Sequence, residues 1–390
     1  MATTEVSSTT GPGPSDTLCT ELCAAVFASL SRSDQRRTGL DYVRGLLGAE
    51  GRKSIRNLAA LIGGRTTEQR LHHFICDSTW DWMPVRLALA RHLTALAPPQ
   101  AWVLRPMVIP KAGEHSVGVS RRFFPAFGQA VNAQQAVGVW AASTELRSPV
   151  NWRLHLPRTW LDDHFRRDRV SIPDQVAPET FEDCTIEAFL ELAPGLPVRP
   201  VVADFREADA VAAVRRLRAA SVPLLVRVGN TQRLIVDDPA LPGHSRHALP
   251  AHQIMAAARQ LCRPVLGPSD DPTAESHPGL VAAVRVRLPA KRRNHPPDTL
   301  LLLAAGESGP GWPDELWLTD LRSVPYPELL RLARLAHLVD RDLVEIAEQV
   351  GIRDFAGRSF CGWHRHITLA STAHAVATLT AGTEQRQHVR

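Results

Sequence analysis

No stretch of the chain approaches the ~18–20 consecutive apolar residues that a membrane-crossing helix needs. The opening MATTEVSSTTGPGPSD has neither the basic start nor the apolar core of a secretion signal. Membrane insertion and export are therefore not expected. The six cysteines, Cys19, Cys23, Cys76, Cys184, Cys262 and Cys361, include no CxxC pair. That argues against a zinc knuckle, a redox motif or a dense disulfide framework, and fits a reducing cytoplasm. Also missing are a Walker loop, a GxGxxG turn after a strand, a GxSxG elbow, an HExxH helix and any internal repeat.

What is present describes a soluble chain. Its 390 residues are 22% charged and 44% hydrophobic, enough for two domains or one large core with appendages. Lys and Arg outnumber Asp and Glu by 45 to 40, a mild excess that favours polyanionic partners without proving one.

Residues 1–16 are rich in Thr, Ser, Gly and Pro, bury too little to order themselves, and read as a disordered leader. From 17 to 98 apolar residues recur at three and four, as in Leu22, Ala25, Val26 and Leu30, which predicts an all-α N-terminal domain ended by Pro98 and Pro99. Beyond it, residues 102–109, 135–142 and 150–156 are short aliphatic stretches bounded by Gly, Pro or Ser and read as strands. Residues 200–204, 207–220 and 223–228 read as strand, helix and strand with parallel character, so the core from 100 to 380 is α/β. Residues 264–299, with many prolines and the basic string Arg285, Arg287, Lys291, Arg292 and Arg293, read as an insertion or long loop. A strand at 300–303, apolar Trp317-Leu318, helices over 326–350 and 363–379, and a tail at 381–390 complete the reading.

Two carboxylates stand out. Asp204 closes an apolar strand, where parallel sheets expose reactive groups, although by pattern alone an aspartate there is more often a plain strand end or helix cap. Asp340 falls on the edge of the stripe Leu329, Leu332, Ala336, Leu343, Ile346 and Val350, while Asp342, Glu345 and Glu348 point the other way. Such a carboxylate either joins a structural ion pair or binds metal. Arg121, Arg122, Arg153, Arg158, Arg166, Arg167 and Arg169 either track a nucleic-acid backbone or form a solvated face, diluted by Asp162, Asp163 and Asp168. His364 and His366 flank Arg365 on different helix faces, a poor metal pair suited to a phosphate or to capping.

Further residues carry a resemblance. In the helical part these are Arg36-Arg37, Tyr42, Gly45-Leu46-Leu47, Arg52-Lys53, Phe74 and Trp80-Asp81. In the core they are Pro110-Lys111, the run His115 to Val119, Asn132, Gln134 and Trp152-Arg153-Leu154, and at the end Arg358-Ser359 and Gly362-Trp363-His364-Arg365-His366-Ile367-Thr368-Leu369. Over about 22–379 the chain resembles a DDE-superfamily insertion-sequence transposase. The resemblance implies a ribonuclease H-like mixed sheet flanked by helices, DNA as partner, assembly as a homodimer on paired ends, and a cytoplasmic, nucleoid-associated place.

Transposases of that kind cut DNA with three carboxylates holding two divalent cations, Mg²⁺ or Mn²⁺. Where their first aspartate lies, this chain has Arg105-Pro106-Met107-Val108. Their second matches Asp204, followed here by Phe205-Arg206-Glu207, and their helical glutamate matches Asp340, with Ala336 and Ala347 in place of its basic companions. Asp204 and Asp340 are thus remnants of a catalytic and metal-binding set whose first member is replaced at Arg105 and Pro106. An arginine there puts permanent positive charge where the cations should sit.

The expectation is a catalytically impaired or inactive transposase derivative that binds DNA and needs no cofactor. Its DNA contacts would come from Arg52, Lys53, Lys111, Arg121, Arg122, Arg153, His364 and Arg365. Two alternatives stand beside it. One is an active metal-dependent transposase completed by Asp209 or Glu345. The other is a cleft turned to a small molecule through Arg105, His364 and His366.

Overall fold

A computed structural model describes residues 14–241, 247–266, 278–289, 299–306 and 312–388. Most of the expected leader and the string Lys291, Arg292 and Arg293 lie outside the described residues. The first part of the chain folds as five helices, α1 (Pro14–Val26), α2 (Ser33–Gly48), α3 (Ile55–Ile62), α4 (Arg65–Cys76) and α5 (Trp82–Leu96). Two of them start at a side-chain cap, α3 where Ser54 accepts the Asn57 N–H at 3.2 Å and α5 where Asp81 accepts the Met83 N–H at 2.9 Å. The spacing of three and four buries Leu22, Val26, Val43, Leu46, Leu58, Leu71, Val85, Leu89 and Leu93 against one another.

After the proline pair come β1 (Ala101–Pro110), β2 (Ser120–Phe124), β3 (Gln129–Ala142) and β4 (Arg147–His155), then α6 (Arg158–Leu161), α7 (His164–Arg169) and α8 (Phe181–Leu190). Next are β5 (Val201–Asp204), α9 (Ala210–Ala219), β6 (Leu224–Arg227), β7 (Arg233–Val236), β8 (Leu249–Pro250) and α10 (Ala251–Ala257). The chain ends with β9 (Arg263–Leu266), β10 (Pro278–Arg287), β11 (Thr299–Gly306), β12 (Glu315–Thr319), α11 (Tyr326–Asp342) and α12 (Phe360–His388). All the strands join one 12-stranded mixed sheet. Its inner half runs β4–β3–β1–β5–β6, with β1 antiparallel to β3, β3 antiparallel to β4, and β1, β5 and β6 parallel. Three antiparallel strands followed by two parallel ones is the ribonuclease H-like arrangement the resemblance implies. Strand β12 lies antiparallel on β6 and leads to β11 and β10. Helix α11 then returns over β1, β5 and β6, and α12 packs on β4 and on α1, α2, α4 and α5.

Four expectations need correction. Residues 264–299 are not simply a loop, because β10 pairs with β9, β7 and β11. Its alternation of buried Val284 and Val286 with Arg285 and Arg287 is the signal of a half-buried strand, hidden in a proline- and arginine-rich context. Strand β2 was not anticipated, since Arg121, Arg122 and Phe123 are all exposed and carry no alternation. Helix α12 continues through much of the expected tail, to His388. Finally, Asp342 does not face water: it is 2% exposed and ion-paired to Arg147 at 2.7 Å. Helix α11 packs against the strands and runs on into a π-helical turn, Leu343–Ala347, that touches α12, so the helix has an interior on two sides.

Candidate functional site

Parallel pairing sets Leu104 beside Ala203 and Asp204 beside Arg227, and the antiparallel pair β6–β12 sets Arg227 opposite Trp317. One step further along β1 and back along β12, Arg105 midway along β1 therefore falls in a row with Asp204, Arg227 and Glu315 at the ends of β5, β6 and β12. The charges alternate across four strands. Helix α11 lies over this row and presents His337 and Asp340, three residues apart and so on one face.

Each carboxylate of the row has a basic partner. Asp340 forms an ion pair with Nε of Arg105. Asp204 accepts from the Arg206 backbone N–H at 3.0 Å and from Arg206 Nε at 2.9 Å, and Arg227 Nη1 stands 4.0 Å away. Glu315 takes Arg227 Nη2 at 2.9 Å, His337 Nε2 at 2.8 Å and the Trp317 indole N–H at 3.0 Å. Burial raises the Asp340 carboxyl above the usual range, outweighing the pull of Arg105 and His337, and the nearby charge of Asp204 adds to the rise. Glu315 is held below the carboxylate range: burial opposes this, but hydrogen bonding and charge from His337, with Arg227, prevail. The same contact raises His337.

Three carboxylates here face three guanidinium groups. With His337 beside them the cluster has no net negative charge to attract a metal, and two divalent cations would add four positive charges against Arg105, Arg206 and Arg227. Among the described residues no group of three His, Cys, Asp or Glu side chains is placed to hold a metal ion. The residues present do not fit the two-cation centre of a DDE nuclease. Asp209 does not complete it, since its carboxylate caps α9 on the Ala212 N–H at 2.9 Å. Glu345 is exposed, beside Arg341 at 3.9 Å.

The residues expected to touch DNA separate into groups. Arg52, Arg121 and Arg122 are exposed. Lys111 donates to the Phe355 carbonyl at 2.8 Å, and burial lowers its amine to about 8. Arg153 is held bidentately by Glu179, at 2.9 and 3.0 Å, and by Glu191. Lys53, His364 and Arg365 must be withdrawn from the expected surface, because each is buried. Lys53 donates to the Ala49 carbonyl. Arg365 closes the end of α4 through the Ile75 and Trp80 carbonyls at 3.0 and 3.2 Å. His364 stacks on Trp82 with ring centres 4.7 Å apart. His366, fully buried, donates its Nε2–H to the Gly351 carbonyl at 2.9 Å and accepts at Nδ1 from the Tyr42 hydroxyl at 2.8 Å, so neither histidine serves a cleft beside Arg105.

Sequence reasoning missed Arg206, Arg227, Glu315 and His337 as a group, and also Arg86. Arg86 is fully buried and joins Thr368, Asn151, the Trp152 carbonyl and His364 at 2.6–3.2 Å. Its signal was available: with Val85, Leu89 and Leu93 it lies on the apolar stripe of α5.

A comparison with curated proteins finds no match. A family profile described as DDE superfamily endonuclease matches residues 25–260, more than half of the chain. That span contains the helical region from the end of α1 onward, Arg105 and Asp204, and stops short of Glu315, Asp340 and the Gly362 to Leu369 run. By this match, and with a sheet of ribonuclease H-like order beneath it, the chain belongs to the DDE superfamily of endonucleases, which gives it a transposase-like character.

Proposed function

We propose that this protein binds DNA and does not cut it by two-metal chemistry, acting as a regulatory or architectural factor or persisting as a decaying transposase copy. One observation carries the reading: the ladder Arg105, Asp204, Arg227 and Glu315, closed by Arg206, His337 and Asp340, satisfies its own charge. A guanidinium cannot give up its proton in this range and cannot ligate a cation. It cancels the carboxylates that a metal would need, at a place where adding positive charge is opposed by Coulomb repulsion. The basic excess of the chain, 45 Lys and Arg to 40 Asp and Glu, supports retention of a polyanionic partner. No helix among the described residues is long and apolar enough to cross a membrane. A cytoplasmic, nucleoid-associated place follows from the DNA-binding reading. A homodimer on paired ends belongs to the same reading.

The test is incubation of the pure protein with labelled duplex carrying insertion-sequence ends, in Mg²⁺ or Mn²⁺. Retention that weakens steeply with salt, without nicks, is the expected result. Strand cleavage that disappears in Asp204→Ala would overturn it.

A further inference from the structure

Every aromatic side chain that stands open to solvent among the described residues lies in two neighbouring segments: Phe123 on β2, Phe127 in the turn after it, and Phe165 on α7. Phe165 is 90% exposed and contributes almost nothing to the core. Water-facing phenylalanines on two segments that a hydrogen bond ties together call for a partner. Around them stand the exposed Arg121, Arg122, Arg158, Arg166 and Arg169. Arg121, Arg158 and Arg169 have no acidic partner among the described residues, whereas Arg166 lies 3.6 Å from Asp163.

The two segments are tied together. The Trp160 indole N–H of α6 donates to the Val119 carbonyl, one residue before β2, at 2.8 Å, and the Arg166 guanidinium lies 5.4 Å from the same indole ring. Phe127 is held in place by an edge contact with Phe124, ring centres 6.1 Å apart, and by Gly128. At φ +62° that glycine lets its N–H reach the Phe124 and Pro125 carbonyls, both at 3.1 Å. Among the described residues strand β2 pairs with β3 alone and ends the strand order, so its other edge is open to a partner.

Rings, guanidinium groups and an open strand edge side by side match the chemistry of a nucleic-acid strand with unpaired bases. In a duplex the base faces are already stacked on each other and give a protruding ring nothing to cover. An unpaired strand offers both base faces and phosphates. We propose that β2, the turn after it and α6–α7 form a binding strip for single-stranded DNA, with Phe123, Phe127 and Phe165 against bases and Arg121, Arg158 and Arg169 on phosphates. This rests on the DNA-binding reading above and adds the place and the form of the DNA.

Fluorescence anisotropy of the full chain with a labelled oligothymidine strand, and with a duplex of equal length, tests it. The wild type should bind the strand more tightly than the duplex. Replacing the three phenylalanines by alanine should weaken strand binding by about tenfold per ring engaged. Arg121→Ala, Arg158→Ala and Arg169→Ala together should flatten the slope of log affinity against log salt by about two. Leu61→Ala, at an exposed leucine on α3, should leave both unchanged. All the changes are at exposed positions, and circular dichroism with a melting curve checks the fold of each variant. The strip is refuted if the phenylalanine variant holds the strand like wild type, or if wild type prefers the duplex. It is equally refuted if the variant loses only self-association, which would give the face to a second copy of the chain. If DNA still binds while these variants change nothing, the strip alone fails. If no DNA of any form binds, the wider reading fails with it.

Discussion

At the scale of the residue, Arg105 balances a carboxylate of the cluster, and on the reading proposed above it also stands where a metal ligand would be. Its guanidinium holds Asp340 on α11, while Arg206 and Arg227 hold Asp204. Arg105→Asp should therefore convert a balanced cluster into one with crowded carboxylates. In metal-free buffer we expect a loss of about 1 kcal/mol, because both partners are partly exposed and solvent screens the repulsion. Added Mn²⁺ should recover part of that loss in the variant and leave the wild-type melting temperature unchanged. Melting curves with and without Mn²⁺ check this, and a variant indifferent to the ion would contradict the account. His337 gives a second test. Glu315 raises its affinity for a proton, so the stabilisation is complete below about pH 6.5, the unfolded value, and is lost as pH rises through the higher folded value. With about half of the side chain in water the contribution stays under about 1 kcal/mol. Melting temperature should fall by about 1–2 °C over that window in the wild type and stay flat in Glu315→Gln.

At the scale of the element, α12 shows what a pattern of residue types conceals. Two histidines beside an arginine on the surface would suit a phosphate, yet the run from His364 to His374 is buried, every polar side chain turned to an internal partner or left dry. Asp204 and Asp340 were legible because strand period and helix period place them at the sheet edge and on a stripe border. Arg206, Arg227, Glu315 and His337 were not, since they come from separate segments that only the sheet order brings together. Arg86 was legible in principle, an arginine on an apolar stripe. Burial lowers His366 to about 4 and His374 to about 3, so both are neutral in the folded chain near pH 7. Protons then favour the unfolded state, and stability is lost as pH falls from about 6.5 toward those folded values. Between pH 7 and 5 this amounts to on the order of 2 kcal/mol for each histidine. Urea unfolding at the two pH values should show the loss, and His374→Leu should reduce it. An unchanged pH slope in that variant would refute the assignment.

At the scale of the whole molecule, the helical region and the sheet share one hydrophobic core rather than meeting at a seam. Helix α12 is the shared element: it packs on β4 on one side and on α1, α2, α4 and α5 on the other. Arg86 pins the same three parts, reaching from α5 to Asn151 and Trp152 on β4 and to His364 and Thr368 on α12. A chain beginning at residue 99 would leave the α12 face that meets the helices in water, together with acceptors that Arg86 now satisfies. Such a fragment should aggregate or show no cooperative melting transition, and Arg86→Ala in the full chain should cost about 3–5 kcal/mol, since it strips a buried hub of its hydrogen bonds. A soluble fragment with a sharp transition would mean that the core divides after all. The coupling matters for DNA as well. Arg52 before α3 is exposed beside helices that this common core holds in place, so on the DNA-binding reading proposed above Arg86→Ala should weaken DNA retention although its side chain never reaches solvent.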